Sequence, residues 1–199
     1  MRMKKGKGRW RITPLFGMML AGLLLFDRSG FCLVTVLAAL LHECGHLLAA
    51  KLLRIPWKGL HMDFMGARLE VSGKILSYGE EWLLASAGPF ASFVFAAMGA
   101  PLWHFSEHAV LFSCASLLLG VLNLLPIRTF DGGRMLECLL SRFCEERTVH
   151  GIMKLSSFLF LFLIWSGAIY FLLRAGDGLS LLFFSMSLFV HFFEACEED

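Results

Sequence analysis

The sequence predicts an all-α polytopic membrane protein of about six transmembrane helices, with a small cytoplasmic-face β-hairpin between the second and third. Three observations predict it. Of 199 residues 57% are hydrophobic, 20 are Phe, and the mean hydropathy is +0.69, too apolar for an ordinary soluble domain. Apolar runs long enough to cross ~30 Å of hydrocarbon recur along the chain. The basic residues fall almost wholly on one side of the resulting topology. No repeat or low-complexity stretch divides the chain, so residues 1–199 read as a single membrane domain. Its core lies at about 31–145, with accessory helices at 11–26, 152–173 and 179–195. A net charge of only +2 gives no reason to expect nucleic acid as a partner.

The six expected spans are 11–26, 31–53, 82–103, 108–126, 152–173 and 179–195. The first follows six basic residues, Arg2, Lys4, Lys5, Lys7, Arg9 and Arg11, and Trp10 can anchor it at an interface. A basic start before an apolar run resembles a signal peptide. The run ends in Phe26-Asp27-Arg28 with no small-residue cleavage site, so it is read as a retained span. With the N-terminus in the cytoplasm, sixteen of the eighteen Lys and Arg residues lie on that side, all but Arg28 and Arg174. Both termini are therefore expected in the cytoplasm, and the protein in the cell membrane.

The second span carries His42, Glu43 and His46 in its middle. Ionisable groups inside hydrocarbon are costly and mark function. Histidines four apart share a helical face, so two imidazoles can meet one metal ion. Glu43 beside them can take a proton from water. This is the His-Glu-x-x-His arrangement of zinc hydrolases. His46 lies about eight residues, or ~12 Å, from the cytoplasmic end of its helix, so a wet cleft must open inward. Cys44 points away from the histidine face and is not counted as a ligand. All six cysteines read as small buried hydrophobes without a disulfide framework.

Residues 59–78 alternate apolar and polar side chains around Gly66 and read as a hairpin on the membrane face. Its edge needs a partner, and one candidate is an extended substrate strand. The third span contains Gly88-Pro89 and Ser92, for which helix packing is the plain explanation. In the fourth, Pro126 is expected to break the helix. Gly132 and Gly133 are expected to give tight turns, followed by a short amphipathic helix over 134–144. Asp131 would then sit on non-helical backbone. A carboxylate is a natural third ligand beside two imidazoles; the alternative is a helix N-cap.

His42-Glu43-x-x-His46 followed by Asn123-x-x-Pro126-x-x-x-x-Asp131-Gly132 resembles the site-2 proteases, intramembrane zinc metalloproteases. The compact layout is similar to the branch that includes stage IV sporulation protein FB. The resemblance covers residues 31–145. It implies that His42, His46 and Asp131 bind one Zn2+, that Glu43 is the catalytic base, and that Asn123 helps to position substrate or the second metal-motif segment. The family's Gly-Pro-x-x-Asn stretch is matched by Gly88-Pro89, but Ser92 stands where the Asn is usual, and no role is assigned to it. Cystathionine-β-synthase-type and PDZ domains, which many relatives add, are not expected here.

The reaction expected is hydrolysis of a peptide bond in or near the transmembrane segment of a membrane-bound substrate, in regulated intramembrane proteolysis. The resemblance suggests a transcription-factor precursor or an anti-sigma factor as that substrate. A regulatory membrane partner is a further expectation. Two other readings compete: a membrane zinc carrier or transporter, which would not need Glu43 as a base, and an inactive protease-like scaffold.

Overall fold

The computed structural model describes residues 9–12, 30–63, 66–71, 76–104, 106–175, 185–190 and 192, with isolated positions 18, 21, 25 and 27. The chain divides into two compact units, 1–122 and 123–199.

In the first unit the second expected span is helix α1, Phe31–Leu52. Val34, Ala38 and His42 are buried along it. They are spaced by four, so they form one stripe, and the ligand-type residue continues an apolar face. Leu33, Leu37, Leu40 and Leu48 are exposed, as suits a helix whose outer face meets lipid. At 22 residues α1 is ~33 Å long, enough to cross the hydrocarbon. Backbone amides close its end. The Ile55 amide donates to the Ala50 carbonyl at 2.9 Å and the Arg54 amide to the Lys51 carbonyl at 3.2 Å. Arg54 adopts φ 53° at the position where this helix stop usually has glycine. Ala50, Ile55 and Leu84 form a small core below the stop.

Strands β1 (Arg9–Ile12), β2 (Trp57–Asp63) and β3 (Gly66–Val71) make one sheet in the order β1-β2-β3. β2 and β3 pair antiparallel, with Leu60 opposite Leu69 and His61 opposite Arg68. The expected hairpin region therefore holds a strand pair. What alternation could not show is the third strand: β1 runs parallel to β2, with Trp10 opposite Leu60. Parallel pairing joins segments distant in sequence, so no local signal announces it. It corrects the all-α reading, since a three-stranded sheet stands beside the helices. It also takes Arg11 and Ile12 out of the expected first span, most of whose remainder lies outside the described residues. β2 has both edges occupied; the outer edge of β3 carries no strand among the described residues.

Helix α2, Tyr78–Gly99, opens with a capping box in which Ser77 and Glu80 serve each other's backbone amides. Pro89 lies inside it. A short 3-10 turn, Ala100–His104, leads to α3, Glu107–Asn123. The α1–α2 contact is close because Gly45 faces α2: a Cβ there would lie 2.6 Å from the Ala87 carbonyl oxygen and 2.7 Å from the Ala91 methyl. The α2–α3 contact is marked by Phe95 edge-on to Phe112, with ring centroids 6.5 Å apart.

In the second unit α3 has ended three residues before Pro126, as that proline requires. Residues 124–130 follow as irregular backbone. Two serines of helix α5, Glu146–Ala175, hold this strip. Ser156 donates to the Pro126 carbonyl, and the Arg128 amide donates to the Ser157 hydroxyl at 3.0 Å. Helix α4, Asp131–Leu140, lies between. It starts earlier than the amphipathic pattern suggests, which corrects the non-helical placing of Asp131. Near the expected last span, residues 185–190 are helical, and Phe189 lies edge-on to Phe158 and Trp165 of α5.

Among the described residues three helices are long and apolar enough to cross a membrane: α1, α2 with its 3-10 extension, and α5. The fourth expected span is α3, apolar but only 17 residues long.

Candidate metal centre

Both histidines of the pentapeptide are held by α2. His46 Nδ1 lies 2.8 Å from the Leu84 carbonyl oxygen. A carbonyl can only accept, so the neutral His46 ring carries its proton on Nδ1 and leaves Nε2 as a lone pair. His42 Nδ1 lies 2.9 Å from the Ser92 hydroxyl. With both Nδ1 atoms engaged, the two Nε2 atoms face each other at 3.3 Å, and the rings stand nearly edge to face at 75°. His42 is 3% exposed and His46 is half-buried.

An absent side chain lets the two rings lie directly against α2. A Cβ built on Gly88 would collide with His46 Nε2 and lie 2.6 Å from His42 Nε2. Two imidazoles with their Nδ1 atoms anchored and their Nε2 atoms converging suit a divalent cation taking nitrogen ligands. Glu43 is half-buried on the same helix turn, about 100° around the axis from His42. Cys44 is exposed on α1. Cys114 is exposed too, and of the five described cysteines only Cys138 is buried. The expectation of buried small hydrophobes is thus corrected: outward-facing positions of a lipid-facing helix accept a thiol as readily as buried ones.

In the second unit Asp131 is 9% exposed and is the first residue of α4. The N-cap is Phe130, which makes no side-chain cap, so the N-cap explanation for this carboxylate does not apply. A negative charge in the first helical turn is favoured by the helix dipole. Gly132 and Gly133 are helical rather than turn-forming. Their need is space: a Cβ on Gly132 would strike the Leu124 carbonyl, and one on Gly133 the Ile127 carbonyl. The start of α4 is therefore pressed onto the 124–128 strip that Ser156 and Ser157 anchor. Asn123 is the last residue of α3.

The family model of peptidase family M50 matches residues 98–164, a stretch that includes Asn123 and Asp131 but not the His42–His46 pentapeptide. No curated protein matches the sequence. Among solved structures, the fold is similar to the site-2 protease from Methanocaldococcus jannaschii. That likeness has a TM-score of 0.62 at 21% identity, over 90% of this chain and 85% of that one.

Proposed function

We propose that this membrane protein is a site-2-type member of peptidase family M50, an intramembrane zinc metalloprotease cleaving a peptide bond in or near a partner's transmembrane segment. The observation that carries the reading is the imidazole pair, with Nε2 atoms 3.3 Å apart and packed against α2 where only Gly88 leaves them room. In this reading His42, His46 and Asp131 hold one zinc ion. Bound zinc supplies Lewis acidity, which brings the pKa of water toward ~7 and polarises a carbonyl. Glu43 accepts the proton of the attacking water on its carboxylate and hands it to the departing amine. Asn123, ending α3 before the strip that leads to Asp131, is the candidate for holding substrate. The burial of His42 strengthens its electrostatic contacts.

The carrier alternative and the scaffold alternative are separated by one substitution. Glu43→Gln should keep zinc and lower cleavage by about 10²–10⁴-fold, the usual worth of a general base. A carrier would lose little, and a scaffold would have no cleavage to lose. Comparing membrane fractions that hold the intact protein with those that hold E43Q should show one membrane-bound precursor accumulating. We expect a transcription-factor precursor or an anti-sigma factor. If no protein accumulates while zinc is retained, the proteolytic reading fails. A helical substrate must unwind before its carbonyls are free, and the outer edge of β3 is a candidate surface for pairing with the unwound strand. Control by a further membrane partner is part of the same proposal.

A further inference from the structure

We propose that Ser92 is the positioning residue for His42: its hydroxyl accepts the Nδ1 proton, so that Nε2 turns a lone pair toward the cation. The inference deepens the metal-centre reading above and rests on it.

A neutral imidazole has one N–H and one lone pair, and the partner of one nitrogen decides what the other can do. The two histidines differ in that partner. For His46 it is the Leu84 carbonyl oxygen, which admits a single tautomer. For His42 it is the Ser92 hydroxyl, which can donate or accept. If the hydroxyl donates, His42 carries its proton on Nε2, and that proton points at His46 Nε2, 3.3 Å away. The pair is then closed by its own hydrogen bond and offers no second ligand. If the hydroxyl accepts, both Nε2 atoms present lone pairs to one point. Two facing lone pairs repel until a cation stands between them. Ser92 therefore allows the pair to rest closed without metal and to open when metal arrives. An alanine at this position serves neither state.

Burial makes that contact consequential. Ser92 is 1% exposed and His42 is 3% exposed, so water has little access to replace a lost hydroxyl. Its placement is also narrow. A Cβ built on Gly120 of α3 would lie 3.1 Å from the Ser92 Cβ, so α3 presses directly on the residue that orients His42.

The test uses the full chain in detergent. Zinc affinity is measured by chelator competition for wild type, Ser92→Ala, Ser92→Thr and His42→Ala, alongside the thermal midpoint of each metal-free protein. Wild type should bind one zinc that His42→Ala does not. Ser92→Ala should bind zinc 10–100-fold more weakly, the usual cost of removing a ligand's outer partner, and the loss should exceed what the fall in its metal-free midpoint from the stranded Nδ1 accounts for. Ser92→Thr, which keeps the hydroxyl, should bind more tightly than Ser92→Ala. Three results overturn the role of Ser92: zinc affinity in Ser92→Ala equal to wild type, a fall in metal-free stability large enough to explain the loss, or no recovery in Ser92→Thr. If wild type takes up no zinc, or His42→Ala takes up as much, the metal-centre reading itself fails and takes this inference with it.

Discussion

Gly88 is the residue whose contribution is easiest to overlook, because it contributes only the lack of a methyl. The two rings can lie where they do because nothing projects from α2 at that point. Overfilling a packed site costs about 1–3 kcal/mol, and here the groups that must yield are the imidazoles. Gly88→Ala is therefore expected to weaken zinc binding by roughly 5- to 150-fold, the same energy expressed as affinity, while the helices still assemble. Chelator competition checks it; wild-type affinity in G88A would remove Gly88 from the centre. His42, Glu43 and His46 were readable because the helical period alone puts the two imidazoles on one face. The Gly88-Pro89-x-x-Ser92 stretch was visible in the sequence, but its use was not. Ser92 meets His42 across fifty positions of chain, and a serine in an apolar helix carries no mark of which neighbour it serves.

At the scale of elements, the segment from Asn123 to Leu140 shows how backbone contacts place a side chain. Pro126 ends α3, the strip 124–130 is anchored to α5, and α4 begins against it with glycines at two successive positions. Ser157 is 0% exposed and accepts from the Arg128 amide. Replacing it by alanine strands a part-buried N–H, at about 1 kcal/mol. Ser157→Ala should lower the thermal midpoint in detergent and speed hydrogen exchange at the Arg128 amide; unchanged exchange there would show that the strip is held otherwise. The glycine pair at 132–133 was legible as a special backbone position but misread in kind. Turn formation and close approach both select glycine, and sequence does not say which demand applies. The misplacing of Asp131 follows from the same ambiguity.

At the scale of the whole molecule, apolar outward faces on helices of spanning length suit a protein solvated by lipid. Charge asymmetry sets orientation in such proteins, and sixteen of eighteen basic residues fall to one side of the expected topology. Fusions of a compartment-sensitive reporter to either end should therefore report the cytoplasm for both. A reporter active outside the cell at one end only would mean an odd number of crossings and a revised span count.

Composition and period were enough to determine that the chain belongs in a membrane, which helix holds the metal-type residues, and which three of them share a turn. These are local properties, since hydropathy and the 3.6-residue repeat act within a few neighbours. Tertiary structure alone decided the parallel strand at 9–12, the space left by Gly88, the hydroxyl behind His42 and the serines under the 124–130 strip. Each is a contact between segments far apart in sequence, settled by which surfaces pack together, and no short-range pattern encodes that choice.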